Sequence, residues 1–291
     1  MLKENRKTFF ETFSIVSKGW KKYKKEGLVG VLKAVARRIF LPFLPKPPPN
    51  PVSLCLREIL KQKGVNIVQI GAYIGDTGND PFFDILVNKK KTFSQADCAS
   101  RRIILVEPVK EYFEKLRANY GGTVGLFFEN VAISSKAGTA TFFRLDVDPV
   151  LHGFPEWLSQ LGSLKKERME RLWDHYEARK DYQDFYLKHR VAETVECLTF
   201  QDLMEKHQFQ TVDLLQMDVE GYEKEILDSI DFSKLSIRFI NYECVLLQEK
   251  KESCEQLLRD SGYRLIDHGQ DTFAYKYPDV DLVKQWFGGR Y

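Results

Sequence analysis

Two carboxylates, Asp218 and Glu220, follow the apolar run Val212-Asp213-Leu214-Leu215-Gln216-Met217 and precede Gly221. Carboxylates in that position can take a proton from a substrate hydroxyl, or hold a divalent metal that orients a diol. If the strand continues that far, alternation points both side chains the same way. A third carboxylate, Glu107, follows Ile103-Ile104-Leu105-Val106. One carboxylate at the carboxyl end of a buried strand can accept hydrogen bonds from both hydroxyls of a ribose. Directly after Ile67-Val68-Gln69-Ile70 come Gly71, Gly75 and Gly78. Glycines here let the chain turn sharply and let a ligand lie against bare main chain. Their spacing, G-x-x-x-G-x-x-G, is not the G-x-G-x-x-G of a dinucleotide fold. His152 is a further candidate base.

Each feature also has an ordinary explanation. Glycines after a strand are common turn chemistry, and a strand-end glutamate is usually just solvated. Asp218 can cap the helix that follows, with Glu220 and Glu223 complementing its positive first turn. For His152 a surface role is the plainer reading.

The elements that must position these residues alternate. Helices are expected over 52–62, 81–87 (capped by Asp80), 109–119, 200–207, 222–230 and 250–261; strands over 67–70, 103–106, 126–134 with the loop after it, 139–145, 193–197, 212–217 and 237–244. A closing hairpin over 263–268 and 272–277 turns at Gly269-Gln270-Asp271. This describes an α/β, doubly wound sheet with one antiparallel strand in a C-terminal hairpin. Residues 89–102 read as an exposed loop. Residues 152–190, charged and rich in Trp and Tyr, read as a helical insertion over the ligand site, a natural place for acceptor specificity, or equally as a plain helical pair with its aromatics packed inward.

Two domains are expected: 1–51, a basic amphipathic helical extension with a Pro-rich linker, and 52–291, which carries the chemistry. Residues 1–46 hold 12 Lys/Arg against 3 Glu, net +9, which leaves −6 for the remainder of a +3 chain. A mildly acidic body argues against broad nucleic-acid binding. Leu28, Val31, Leu32, Val35, Ile39 and Phe43 make an apolar stripe with Lys33, Arg37 and Arg38 off it. Such a helix docks on its own body or a partner, the favoured reading, or lies on an anionic membrane as a peripheral contact through residues 1–44. Five scattered cysteines without a C-x-x-C point away from zinc and disulfides and towards a reducing, cytoplasmic compartment.

Four segments, in order, resemble the FkbM family of S-adenosylmethionine-dependent methyltransferases. They are Val68-Gln69-Ile70-Gly71-Ala72 with Gly75 and Asn79-Asp80-Pro81; Ile104-Leu105-Val106-Glu107-Pro108; Glu129-Asn130-Val131-Ala132-Ile133-Ser134; and Asp213-Leu214-Leu215-Gln216-Met217-Asp218-Val219-Glu220-Gly221-Tyr222. They span about residues 60–277. The resemblance implies a Rossmann-like methyltransferase sheet and S-adenosylmethionine as cofactor. It places Gln69, Gly71, Ala72, Tyr73 and Gly75 around the methionine part, Glu107 on the ribose, Asn130 and Ala132 beside the adenine, and Asp218 near the reacting end. The implied reaction is methyl transfer to an oxygen of a sugar, glycan or related metabolite, with Asp218, Glu220 and His152 as candidate bases and Glu243 behind them. A divalent metal is conceivable and not expected. Gln69 stands where many members have Asp, Tyr73 where Asn is common, and Ile74 where an acidic residue is common. Ser163, in Leu161-Gly162-Ser163-Leu164, matches a family serine, with helix capping as its simplest role.

Two other classes compete. A nicotinamide-dependent oxidoreductase fails on the glycine spacing and on the Gly71-to-Glu107 distance, well beyond the usual ~20 residues. A catalytically inactive binding or scaffold protein on the same fold draws support from Tyr73 and Ile74.

Overall fold

The structure is a computed structural model that describes residues 50–88, 100–166, 180–277 and 279–287. The extension 1–49, most of the expected loop (89–99) and part of the insertion (167–179) lie outside the described residues. Among the described residues the strands are β1 Asn66–Ile70, β2 Arg102–Val106, β3 Leu126–Glu129, β4 Ala132–Ile133, β5 Gly138–Leu145, β6 Gly162–Ser163, β7 Arg190–Leu198, β8 Thr211–Met217, β9 Ser236–Glu243, β10 Tyr263–His268 and β11 Asp271–Lys276. The helices are α1 Pro51–Ile59, α2 Pro81–Phe83, α3 Lys110–Tyr120, α4 Lys180–His189, α5 Phe200–His207, α6 Glu223–Asp228, α7 Lys251–Asp260 and α8 Val280–Trp286. None is long and apolar enough to cross a membrane.

The main sheet has the order β10-β11-β9-β8-β1-β2-β3. The five strands from β9 to β3 are parallel, and β11 alone runs against its neighbours. Both faces are covered. Val68, Ile70, Ile104, Val106, Leu215 and Met217 pack with Leu203, Ile226 and Leu258 from α5, α6 and α7. Ile67, Ile103, Leu105, Leu214 and Phe239 pack on the other side with Leu56, Phe82, Leu116 and Val283 from α1, α2, α3 and α8. Two covered faces are why these strands read as unbroken apolar runs rather than alternating ones. The order reverses between β1 and β8, and ligands of such sheets lie outside the carboxyl ends of the strands at that reversal.

A second sheet, β4-β7-β5-β6, was not foreseen. The expected strand and loop over 126–134 divide between the two sheets, because the Asn130 side chain donates to the carbonyls of Glu107 and Pro108, both at 2.9 Å, and bends the chain. β5 and β7 pair antiparallel from Gly138↔Cys197 to Leu145↔Arg190. The insertion therefore leaves and returns through a two-stranded stem. Its described part holds short 3-10 turns at Pro149–His152 and Glu156–Gln160, the strand β6 and one helix, α4. Phe185 and Tyr186 of α4 are buried with Leu145, Leu158, Leu161 and Leu246. The expected helix over 81–87 starts as read, Asp80 accepting from the amides of Phe82 (2.6 Å) and Phe83 (3.4 Å), but widens into a π-helical turn over Asp84–Asn88.

One close approach fixes the reversal point. Gly71 leaves β1 at φ +81°, and a Cβ placed there would stand 1.8 Å from the carbonyl oxygen of Asp218. The amides of Gly71 and Ala72 both donate to the Val106 carbonyl, at 3.1 and 3.0 Å, and the Asp218 amide donates to the Ile70 carbonyl at 3.0 Å. The ends of β1, β2 and β8 are thus tied together by main chain alone. Gly71→Ala must push Asp218 away and adopt a left-handed backbone, so it should lose about 2–4 kcal/mol of stability in denaturant unfolding.

Candidate active site

A cleft opens at the carboxyl ends of β1, β2 and β8. Its floor is Gly71 and Val106, Val131 and Ile133 form an apolar wall, and Ser159, Leu161 and Leu164 of the insertion roof it.

Glu107 stands at one side, 5 % exposed. Its Oε1 accepts from the Val109 amide at 2.8 Å and its Oε2 from the Tyr73 amide at 3.0 Å. It staples the turn after β1 to the turn after β2, and each oxygen keeps a lone pair for a further donor. Tyr73 is held at φ +47° with its ring edge-on to Tyr112, centroids 4.6 Å apart. Arg144 reaches in from β5, its guanidinium 5.7 Å from the Tyr112 ring centre and paired with Glu193 at 3.1 Å and Asp146 at 3.0 Å. Its buried Nε has no partner. Burial pushes the Glu107 carboxyl up to about 7, against the pull of its two amide bonds.

Asp218 and Glu220 stand on the opposite side. Asp218 opens into the cleft yet is surrounded by protein; lost hydration, then Asp271 and Asp80, raise its carboxyl to about 7. Glu220 sits at φ +54°, a conformation uncommon outside glycine. Burial and then Asp218 and Glu223 hold its carboxyl well above the ordinary range. The capping expectation for Asp218 is not met: α6 begins at Glu223, and its cap residue, Tyr222, makes no side-chain bond. Glu223, 0 % exposed, instead holds the loop, its Oε1 accepting from the amides of Val219 (3.0 Å) and Gly221 (3.4 Å).

Of the expected residues, Gly71, Tyr73, Glu107, Ala132, Asp218 and Glu220 line the cleft. The others have different surroundings. Gln69, 6 % exposed, donates to Asp80 at 3.1 Å. Ala72 is buried below the turn. Gly75 faces α3, where a Cβ would stand 2.5 Å from the Tyr120 ring. Asn130 borders an adjoining surface groove. His152 is exposed, its ring 5.5 Å from those of Phe185 and His189. Ser163 is fully buried in β6, where its hydroxyl accepts from the Lys165 amide at 3.2 Å; the residues from 167 on, which a cap there would serve, lie outside the described residues. Arg144 and Tyr112 were missed as cleft residues. The roof comes from the insertion expected over the ligand site, and it and Arg144 are carried by the β5–β7 stem.

The sheet order, the single reversed strand and a cleft at the switch point with an acidic residue ending β2 make this an S-adenosylmethionine-dependent methyltransferase. The model of the methyltransferase FkbM domain matches residues 69–265, and the chain belongs to that family. No curated protein matches it. Similar solved structures include precorrin-6y C5,15-methyltransferase from Geobacter metallireducens GS-15, 13 % identical with a TM-score of 0.35, covering 77 % of this chain and 87 % of that one. Another is the ribosomal protein L11 methylase of Lactobacillus delbrueckii subsp. bulgaricus, 8 % identical with a TM-score of 0.33, covering 77 % and 78 %.

The raised carboxyls set a sign for stability against pH. A glutamate whose folded value lies above its ordinary 4.5 binds its proton more tightly when folded, so its contribution is present in acid and lost as pH rises through about 7. For Glu107 the span corresponds to about 3 kcal/mol. Urea unfolding of the ligand-free protein should show stability falling from pH 5 to pH 8, with a shallower fall in Glu107→Gln.

Proposed function

We propose that this chain transfers a methyl group from S-adenosylmethionine to a hydroxyl oxygen of a sugar, glycan or related metabolite. The observation that carries the reading is the cleft between Glu107 and Asp218, which matches the chemistry of the cofactor on both sides. Glu107 keeps acceptor lone pairs for ribose hydroxyls, the Val131 and Ile133 wall suits an adenine, and Gly71 leaves main chain bare for the amino-acid part. When bound, S-adenosylmethionine supplies an already activated methyl group on a sulfonium.

What remains for the protein is alignment and one proton. The roof from Ser159 to Leu164 excludes water, and the main-chain ties at Gly71 fix where the two sides stand. Asp218, open to the cleft, receives the proton of the acceptor hydroxyl, with Glu220 beside it.

Calorimetry should show binding of S-adenosylmethionine and S-adenosylhomocysteine, no heat with NAD, and loss of both signals in Glu107→Ala. With tritiated cofactor and a panel of sugars and glycans, label should appear on an acceptor oxygen, and Asp218→Asn should slow transfer by about 10²-fold or more while binding persists. Label on carbon or nitrogen, or no cofactor binding by the intact protein, would contradict the reading.

A further inference from the structure

Asp218, Glu220 and Glu243 bring one carboxylate oxygen each to a common point, the three oxygens all within 4.8 Å of one another. The third arrives from a different strand: Glu243 ends β9, the neighbour of β8, directly across from Asp271 on β11. Among the described residues no hydrogen bond or ion pair reaches any of the three carboxylates. Glu243 is the deepest of the trio, and its Oε2 is sealed from solvent without a partner. Behind them the wholly buried Glu223 spends one oxygen on the loop amides and leaves its Oε2 equally unpaired. A buried carboxylate oxygen is ordinarily paired or binds a metal, and here Glu243 and Glu223 each leave one buried oxygen without a donor beside the more open Asp218 and Glu220.

The geometry fits one occupant. Two oxygens on the same ion stand at most twice the metal–oxygen distance apart, about 4.2 Å for magnesium and about 4.6–5.2 Å for calcium. A spread of up to 4.8 Å lies within reach of calcium, and the smaller magnesium would need the oxygens drawn closer than that bound. The set is all oxygen, without imidazole or thiolate, which disfavours zinc and copper. An ammonium group would neutralise only one of three charges, whereas a divalent ion neutralises two.

We propose that Asp218, Glu220 and Glu243 form a binding site for a divalent, oxygen-preferring cation of the magnesium, manganese and calcium type. Because Asp218 and Glu220 also line the cleft, coordination positions not taken by protein face the space where an acceptor would sit. A cation there would orient and acidify an acceptor hydroxyl or diol. That use rests on the methyl-transfer reading; the binding itself does not.

Mn²⁺ titrated into the full chain, with the free ion followed by electron paramagnetic resonance, tests the site without any turnover. One Mn²⁺ should be taken up per chain, displaced by excess Mg²⁺ or Ca²⁺, and bound at least tenfold more weakly by Glu243→Gln. S-adenosylhomocysteine binding by Glu243→Gln, read separately, should persist, since Glu243 lies outside the cleft lining. If that variant fails to fold, the part-exposed Glu220→Gln should weaken Mn²⁺ uptake to the same degree; only its metal binding is read, because Glu220 lines the cleft. No uptake at millimolar Mn²⁺ by the intact protein, or uptake unchanged in the variants, would overturn the site. If the homocysteine ligand still binds, the methyltransferase reading stands.

Discussion

The chain at Gly71 passes so close to the carbonyl of Asp218 that no side chain fits between them. Everything functional in this structure depends on that approach. It brings the ends of β1 and β8 together at the one place where the order of strands reverses. A switch point is otherwise only a gap between two diverging loops. Here three main-chain bonds close its base, and the two loops then diverge above it to leave a cleft. Glu107 completes the frame from the side of β2, holding the turn at Tyr73 and the start of α3 with the same carboxylate that faces the ligand space. The scaffold and the cleft share residues, so the lining of the cleft and its local rigidity are set by the same atoms.

Charge is distributed with equal economy. Glu129, another buried carboxylate, is satisfied by Lys206 and His207, each at 2.7 Å, and serves to lock α5 against β3. Glu225 is likewise held between Lys165 and Lys250. The carboxylates at the mouth of β8 and β9 receive no such partners among the described residues. Burying like charges is unfavourable unless something else fills the site. The contrast sets Glu129 and Glu225, each held by two basic side chains, apart from the carboxylates at the mouth of β8 and β9, and it is the support for the proposed acceptor side at Asp218.

Local patterns made the frame legible before any coordinates. An apolar run followed by glycines, and apolar runs ending in Glu107 or Asp218, are contiguous in sequence, and strand-end position alone brings them to one edge of the sheet. Features that depend on distant pairing were not legible. The β5–β7 stem joins Gly138 to Cys197, and nothing local in either segment announces the other. Arg144 rides on that stem, so it stayed invisible as a site residue; the insertion was expected over the ligand site, but not which of its residues reach the cleft. Glu243 read as a strand terminus behind the main pair; its meeting with Glu220 depends on the register of β9 against β8. Ser163 could not be placed from sequence either, since the two-residue strand that buries it forms only by pairing with β5.

The central claim is that one cleft, bounded by Glu107, Asp218 and the roof from Ser159 to Leu164, holds the cofactor. A crystal structure of the protein grown with S-adenosylhomocysteine tests it most directly. The account predicts the ribose hydroxyls on Glu107, the adenine against Val131 and Ile133, and the sulfur turned towards Asp218. Ligand density in the groove beside Asn130 and Glu193, or in the cleft with the ribose away from Glu107, would contradict it.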